Sequence, residues 1–426
     1  MVKILDLHEA LQLILTRSAT EQGEKSGWHQ RQGQLSASQF VQTVSFGFLE
    51  HPHATLGQLA RVAGTLGAAV TPQAISQRFT KESVALMRGV VMDALGILLE
   101  ADPVEVAWLQ QFPGGVYLND STQITWHADW AATWDGGATP AALKIPTLLN
   151  LLRGSLQIDV VPARQHDSAT RLANLDFPPG SVVVEDAGYL DSERMQRRWT
   201  QRVHTIVSYR SDLAVFDGQG RRLDVLRWLY QHPGRCADRL VSWQGSWYRF
   251  VAIPLSPESI ERKRQDLHAT ARKHGRQPTQ EALALAAWHL MLTTLPEELA
   301  TTDQIATLMR LRWQIELLFK LWKDQGKLDE TRGWKPERIE TEFYAKVLGL
   351  LIQHWLVLTV GWQWVERSLV KIGQAIRESI RAFCLLWQER EHLASFCTRL
   401  TQIIDKTARI TSHCHQESTA HRVLRT

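Results

Sequence analysis

The amino-acid sequence predicts an α/β protein in which a mixed β-sheet is preceded and followed by helices. Two observations support this fold class. From Pro113 to about residue 209, apolar runs of strand length alternate with helical stretches, in the order three strands, a helix, a strand, a helix and a strand. Before residue 105 and after residue 340, apolar residues instead recur at helical spacing.

The first 110 residues contain the pattern of a helix–turn–helix unit. A helical period is followed by a glycine-bearing turn and a second helix, for which Thr71 is the expected N-cap and Pro72 the first residue. This arrangement would expose Gln73, Gln77 and Arg78 to DNA. A simple packed pair of helices produces the same pattern, so both interpretations stay open for this segment.

Strands are expected to continue beyond residue 210. "LAVFD" and "GSWYRFVAIPL" are strand-like, and a basic polar stretch, "ERKRQDLHATARKHGRQ", follows them. The run "WHLMLTTLP", which begins at Trp288, predicts one more strand. Asp303 is then the expected cap of a helix that carries "RLRWQIELLFKLWK", residues 310–323.

Composition is that of a globular protein with a mild basic excess. Hydrophobic residues make up 44% and charged residues 22% of the 426 residues, and the net charge of +4 is compatible with a polyanionic partner. The four cysteines show no close pairing, so neither a disulfide framework nor a zinc knuckle is indicated. The terminal "SHCHQ" is disfavoured as a metal site because an exposed end offers no fixed geometry.

Neither a signal peptide nor a membrane span is indicated. Asp6, His8 and Glu9 interrupt the N-terminal apolar segment, unlike the continuous run of a signal peptide. The most apolar stretch, residues 347–362, carries Gln353 and His354 and is short for a bilayer, so a buried core helix is expected. We therefore expect a cytoplasmic protein without a membrane partner.

Two aspartates, Asp120 in "GVYLND" and Asp186 in "SVVVEDAGY", follow apolar runs. The ends of buried strands are where α/β proteins build sites, because the strand fixes the backbone and leaves the next side chain free. Aspartate is also common after strands as a turn former or helix cap. Each residue alone therefore supports the catalytic interpretation only weakly.

A third acid, Glu316, stands among basic residues on the predicted helix. At 100° per residue, one arc of roughly 80° holds five side chains: Met309, Arg312, Glu316, Lys320 and Lys323. This could be a ladder of helical ion pairs. Three cations for one acid nevertheless leave a positive surplus that suits phosphate oxygens. Three converging carboxylates can hold two Mg²⁺ ions, which catalyse in-line phosphoryl transfer.

Together these residues resemble the DDE transposases of the insertion sequence 4 family. That family's signature is Tyr, two residues, Arg, three residues, Glu, six residues and Lys. Arg312, Glu316 and Lys323 match this spacing, whereas Met309 stands at the tyrosine position. The first two acids match in "LNDST" and "EDAGY".

The resemblance implies a division of the chain into four parts. A helical, helix–turn–helix-like DNA-binding domain would occupy residues 1–110. A ribonuclease-H-like catalytic core with a mixed sheet would occupy residues 111–209 and 289–362, interrupted by a mostly β insertion domain at 210–288. Residues 363–426 would form a helical C-terminal region with a polar tail, a candidate for dimerisation.

The resemblance also implies roles for individual residues. Asp120, Asp186 and Glu316 would be the catalytic acids that coordinate two Mg²⁺ or Mn²⁺ ions. Arg312 and Lys323 would contact DNA phosphates, and Lys320 belongs to the same basic stripe. Trp288 would stack on a flipped base, and Arg210 matches a basic residue at a strand end. Ordinary packing of Trp288 and simple solvation of Arg210 are the competing interpretations.

The function that the resemblance implies is cut-and-paste transposition of an insertion sequence. The enzyme would bind double-stranded DNA at terminal inverted repeats, nick one strand, form and reopen a hairpin, and join the 3′ ends to target DNA as a homodimer. A domesticated, catalytically silent DNA-binding protein is the first alternative, and Met309 is consistent with it. A nuclease acting on RNA–DNA hybrids is the second, although it explains neither the insertion nor the N-terminal helices.

Overall fold

Nine strands form one mixed β-sheet in the computed structural model, which describes residues 2–28, 35–126, 128–273 and 275–410. The strand order is β3-β2-β1-β5-β6-β9-β8-β7, with β4 also paired to β2. The strands are β1 (Val116–Trp126), β2 (Ala141–Asn150), β3 (Leu156–Ile158), β4 (Val161–Pro162), β5 (Val182–Glu185), β6 (His204–Ser208), β7 (Ala237–Trp243), β8 (Ser246–Pro254) and β9 (Trp288–Thr293). β1, β5 and β6 are parallel neighbours and the remaining pairs are antiparallel, which confirms a mixed α/β fold.

Helices precede, interrupt and follow the sheet. The α-helices are α1 (Ile4–Gln12), α2 (Ala19–Lys25), α3 (Ala37–Glu50), α4 (Leu56–Thr65), α5 (Pro72–Ser76), α6 (Lys81–Leu95), α7 (Ser192–Thr200), α8 (Val225–Tyr230), α9 (Pro257–Lys273), α10 (Gln280–Leu285), α11 (Thr302–Leu311), α12 (Trp313–Lys320), α13 (Pro336–Val360), α14 (Leu369–Glu378), α15 (Ile380–Leu386) and α16 (Arg390–Thr407). π-helical turns span Leu13–Ser18 and Leu321–Gln325, and short 3₁₀ turns span Ala107–Gln111, Ala128–Trp130, Asp167–Ala169, Leu172–Asn174 and Ala187–Tyr189.

The two faces of the sheet pack into different cores. Side chains alternate along a strand, so every second residue shares a face. Val116 and Leu118 of β1 and Val184 of β5 belong to the main core, which the N-terminal helices, α11, α12 and α13 complete. Leu290 and Leu292 of β9 belong to a second core on the opposite face, beneath α7, α8 and α10. The face that carries α12 is therefore the one on which Asp120 and Asp186 must be sought.

Helix α13 passes through the main core. It is long and apolar enough to cross a membrane by length and composition alone, but its whole apolar stretch is buried inside the protein. It packs against α3 and α6 before the sheet and against α14 and α16 after it. His354 contacts the carbonyl oxygen of Gly154 at 2.7 Å, and Gly154 has φ +70° in the turn after β2. The expected buried core helix is confirmed.

The segment between β6 and β9 differs from the expected mostly β insertion domain. β8 pairs with both β7 and β9, so these strands extend the main sheet, and α8, α9 and α10 contribute more residues than β7 and β8. "LAVFD" forms only isolated bridges through Phe216, and the basic stretch forms α9. The physical reason is burial: β8 is buried on both faces, so helices must cover it.

The helix expected around residues 303–325 is divided. Thr301, and not Asp303, is its N-cap, because the Thr301 side chain accepts from the Gln304 N–H. The helix breaks at Arg312, where the carbonyl accepts from the Ile315 N–H at 3.0 Å in a tighter turn. Met309 lies in the main core, 4% exposed, and so does not belong to a polar stripe with Glu316.

Candidate active site

Asp120 was expected at the end of a strand, but it lies in the middle of β1. The reason is that β2 pairs with β1 as far as Trp126, with Asp120 opposite Thr147. On its other side β1 pairs with β5 only as far as Asn119, whose partner is Glu185. Asp186 follows Glu185 directly, so the two aspartates occupy neighbouring positions on the face covered by α12.

Arg312 joins two of the three predicted acids. One of its guanidinium nitrogens lies 2.6 Å from Asp120 Oδ2, and the other lies 2.6 Å from Glu316 Oε1. The bridge forms because α12 packs against β1 and because Arg312 precedes Glu316 by one helical turn. Residues 192 positions apart in the chain are thereby brought to one point.

The electrostatics of this point are dominated by its carboxylates. Burial raises the pKa of Asp120 to about 6, although Arg312 and the Ser121 N–H oppose the rise, and the neighbouring Asp186 and Glu316 add to it. Asp186 is exposed, and within the described residues its carboxylate has no hydrogen-bond or ion-pair partner. Three acids against one guanidinium leave negative charge that favours a bound cation.

The donor set has the chemistry that a divalent metal requires, since carboxylate oxygens are hard ligands. In the part of the chain that the structure describes, no three Asp, Glu, His or Cys side chains already stand at ligand spacing. The Arg312 guanidinium occupies the position between Asp120 and Glu316. The residues therefore fit a metal in type and charge, with Arg312 as the group that a metal would displace. The terminal "SHCHQ" lies outside the described residues.

Comparison with known proteins decides the family. Residues 111–352, more than half of the chain, match the family model described as "Transposase DDE domain". The chain belongs to the DDE transposase family. It is an enzyme that acts on DNA, and divalent-metal use is general in this domain.

The similarity of this transposase to its relatives extends beyond the catalytic domain. It is 21% identical over 401 residues to the transposase for insertion sequence element IS231F of Bacillus thuringiensis subsp. israelensis, covering 86% of this chain and 83% of the relative. It is 23% identical over 361 residues to the transposase for insertion sequence element IS1151 of Clostridium perfringens, covering 78% and 76%. A putative transposase, InsL for IS186A of Escherichia coli (strain K12), is 36% identical over 104 residues, covering 24% and 28%.

The basic residues of the transposase lie along the same helix. Lys323 is half-buried in the π-helical turn, and its Nζ donates to the Gln123 carbonyl of β1 at 2.9 Å. Its pKa is lowered because burial disfavours the charged form. Lys320 is exposed, with its Nζ 5.7 Å from the centre of the Trp313 ring. Both ammonium groups are thus on elements that continue from Glu316.

Within the described residues, Trp288 and Arg210 make no hydrogen bond or ion pair with the three acids. Trp288 is half-buried and packs against the second core, on the face of β9 opposite to that of its neighbour His289. Arg210 is exposed and forms a surface ion pair with Asp212 at 2.6 Å. The Trp288 ring is thus engaged in the second core and the Arg210 guanidinium is paired with Asp212.

The predicted DNA-reading residues lie on a short element. Thr71 caps α5 and Pro72 is its first residue, as expected, but α5 ends at Ser76. Gln73 is exposed on this helix, whereas Gln77 and Arg78 lie in the turn after it. The Arg78 guanidinium is 5.1 Å from the Trp28 ring centre. A five-residue helix is short for a recognition helix that lies in a major groove.

Sequence analysis missed a buried acid directly beside Asp186. Glu185 is fully buried and pairs with Arg194 at 3.0 Å and with Arg198 at 3.1 Å, both on α7. The Asn119 side-chain amide donates to it at 2.9 Å. These bonds hold α7 and β1 to the end of β5, and so they position Asp186. Two arginines four residues apart in the next helix were the available signal.

His289 was also missed, although it stands beside the site. It shares the carboxylate face of the sheet, and its Nε2 lies 3.4 Å from the Ser208 hydroxyl. The pKa of His289 is lowered to about 4, chiefly because burial disfavours the charged ring and also because Lys263 and Arg312 repel it, while Asp186 opposes the shift. His289 is therefore a neutral group near Asp186 at physiological pH.

Proposed function

We propose that this DDE transposase excises and reinserts an insertion sequence by a cut-and-paste route, as a member of the insertion sequence 4 family. The observation that carries the proposal is the meeting of three acids: Asp120 on β1 and Glu316 on α12 share the Arg312 guanidinium, and the unpaired Asp186 follows β5 beside Asp120. Such a cluster has no structural need for a third, unpaired acid. Binding a divalent cation gives that acid a role.

In this proposal Asp120, Asp186 and Glu316 hold two Mg²⁺ or Mn²⁺ ions. Bound metals would activate the attacking water or 3′-hydroxyl and stabilise the leaving oxygen. Arg312 turns from the carboxylates to a DNA phosphate, because its guanidinium forms bidentate contacts with either group. Lys323 and Lys320 neutralise phosphates further along the same side. When the Lys323 ammonium leaves the Gln123 carbonyl, it gains water or a phosphate as a partner. That interaction offsets the cost of keeping its charge in a half-buried position.

The proposed reaction nicks one strand at the terminal inverted repeats and attacks the opposite strand with the freed 3′-hydroxyl. The resulting hairpin is reopened, and the 3′ ends are joined to target DNA by a homodimer in the cytoplasm. Trp288 could stack on a flipped base only after leaving the second core. Met309 is buried, so a tyrosine there would need room for its hydroxyl group.

The test is metal-dependent cleavage of duplex DNA that carries the element's own ends. We expect Asp120→Asn and Glu316→Gln to lose cleavage in Mg²⁺ and Mn²⁺ while keeping end binding in a gel-shift assay. Cleavage at the wild-type rate by either variant would overturn the assignment.

A wild-type protein that binds the ends but cuts no DNA would instead favour the silent DNA-binding alternative. Faster cutting of an RNA–DNA hybrid than of the DNA duplex would favour the hybrid nuclease. Flanking inverted repeats in the genome would support the transposition route independently of any enzyme assay.

A further inference from the structure

Trp334 is 98% exposed, more than any other large hydrophobic side chain among the described residues. It lies in the loop 326–335, which connects the π-helical turn after α12 to α13. Indole is costly to leave in water, and tryptophan exposed on an ordered surface is a frequent contact residue. The loop therefore presents a flat aromatic group that the fold itself does not use.

The loop is anchored and not free to fold away. Lys346, buried on α13, donates to the carbonyl oxygens of Lys327 at 2.9 Å and Glu330 at 2.6 Å. The same ammonium pairs with the buried Glu342 at 2.9 Å. The Arg332 N–H contacts that carboxylate from the loop side at 3.4 Å. A pre-organised loop loses little entropy when it binds a partner.

The surface around the indole is basic. Residues 331–338 contain three cations and one acid, Glu337. Arg332 and Lys335 are exposed on either side of Trp334. The two acids earlier in the loop already face cations: Glu330 pairs with Lys327 at 3.0 Å and His53 at 3.1 Å, and Asp329 lies near Lys323 and Lys327. An aromatic platform between cations is the arrangement that binds nucleic-acid bases and phosphates together.

Strand β1 relates this loop to the carboxylates. Asp120 marks the catalytic point, Lys323 contacts the strand at Gln123, and Phe343 of α13 packs on Trp126 at 5.3 Å between ring centres. Six strand residues span about 20 Å. Lys346, one turn after Phe343 on α13, holds the loop through the carbonyl oxygens of Lys327 and Glu330, so the loop is tied to the part of α13 that packs near Trp126. Arg338, just after the loop, stands over Phe79 at 5.4 Å, beside the N-terminal segment that contains Arg78.

We propose that Trp334 is a DNA-contacting residue that stacks on a base where the bound duplex is bent or opened. Arg332 and Lys335 would hold the adjacent phosphates. The inference rests on the proposed active site only for the direction of the DNA, and binding can be tested without catalysis.

The experiment uses the full chain in EDTA and a gapped duplex with 2-aminopurine in a four-nucleotide single-stranded gap. We expect the wild type to quench the fluorophore, and Trp334→Ala to abolish quenching and weaken binding by at least about fivefold, the lower end of one base-stacking contact. Trp334→Phe should retain most of both signals, since a phenyl ring also stacks. Trp247→Ala is the matched control, because Trp247 is likewise exposed but lies on β8.

Thermal unfolding should be unchanged in Trp334→Ala, because the side chain contributes no packing. Affinity and quenching equal to the wild type would overturn the proposal. A lower oligomeric mass with unchanged DNA affinity would also overturn it, in favour of a contact between protein copies. Loss of cleavage in the carboxylate variants has no bearing on this binding result, so the two proposals fail separately.

Discussion

Glu185 and Asp186 are neighbours in sequence but belong to two opposite kinds of charged cluster. Glu185 is shielded from solvent and shares its charge with Arg194 and Arg198, so two cations surround one acid. One residue later, Asp186 stands in a partly exposed cluster of three acids, in which Arg312 pairs with Asp120 and Glu316 while Asp186 has no ion-pair partner among the described residues.

The difference teaches how one strand end can serve both stability and chemistry. A buried acid must be fully paired, because an uncompensated charge in the interior is costly. A partly hydrated cluster can keep an excess of acids, which repel one another until an external cation arrives. The charges of the closed Glu185 cluster are balanced within the protein. The charges of the open Asp120, Asp186 and Glu316 cluster are balanced only when a cation binds.

The largest expected effect is the loss of DNA cleavage when Asp186 is replaced, because Asp186, but not its neighbour Glu185, supplies the proposed metal ligand. Asp186→Asn should reduce metal-dependent DNA cleavage by about 10³-fold or more, because it removes a proposed metal ligand. Its free energy of unfolding should stay within about 0.5 kcal/mol of the wild type, because the side chain is exposed and unpaired. Cleavage assays and urea unfolding measure the two quantities on one preparation. A stability loss that accounts for the inactivity would erase the contrast between the clusters.

The reverse outcome is expected for the residue before it. Glu185→Gln should lower the free energy of unfolding by about 3–5 kcal/mol, because Arg194 and Arg198 are left buried without a counter-charge. The measurement is urea denaturation followed by tryptophan fluorescence. Glu193→Gln is the control and should have little effect, because Glu193 lies on α7 with the two arginines but is exposed. A nearly neutral Glu185→Gln would mean that water reaches the arginines and that this cluster is not closed.

The pH dependence of stability should reveal the strain in the open cluster. The pKa of Asp120 is raised to about 6, so the folded state holds this proton more tightly than the unfolded state does. The contribution of Asp120 to stability therefore falls as the pH rises from about 4 to about 6, and is constant above that. Relative to Asp120→Asn, the wild type should lose up to about 3 kcal/mol over this range in EDTA. Parallel pH profiles for the two proteins would contradict it.

The smallest effect concerns the cation that now holds the open cluster. Arg312→Gln should lower stability in EDTA by about 1–3 kcal/mol, because two charge-assisted hydrogen bonds are lost. Adding Mn²⁺ should raise the melting temperature of this variant more than that of the wild type, since no guanidinium competes for the carboxylates. Lys320→Gln, on the exposed side of α12, should respond as the wild type does. Equal shifts in all three proteins would show that Arg312 and the metal do not share a position.

Sequence patterns predicted the mixed sheet and the buried helix α13. They also picked out the three acids, but they did not predict which side chains surround each acid. Asp186 follows an apolar run that has no antiparallel extension, so its strand does end there. The run before Asp120 continues as an alternating strand, and the pairing with β2 that carries it onward cannot be read from local composition.

The direction in which a side chain points was the other property that the sequence did not predict. Trp288 begins a strand that is buried on both faces, so local sequence does not say which face meets α12. The bridge from Arg312 to Asp120 joins residues 192 positions apart and is a product of packing alone. Met309 was assigned to a polar stripe because helical spacing puts it on one arc with Glu316, but spacing alone does not show how far the core covers that arc.

Helix α13 has a consequence for what fragments of this protein could do. It closes the core shared by the helices before the sheet and those after it, so the N-terminal helices have no complete apolar partner without it. A chain that stops before residue 336 would expose this apolar surface to water. The helices before the sheet are therefore not expected to fold as an independent fragment.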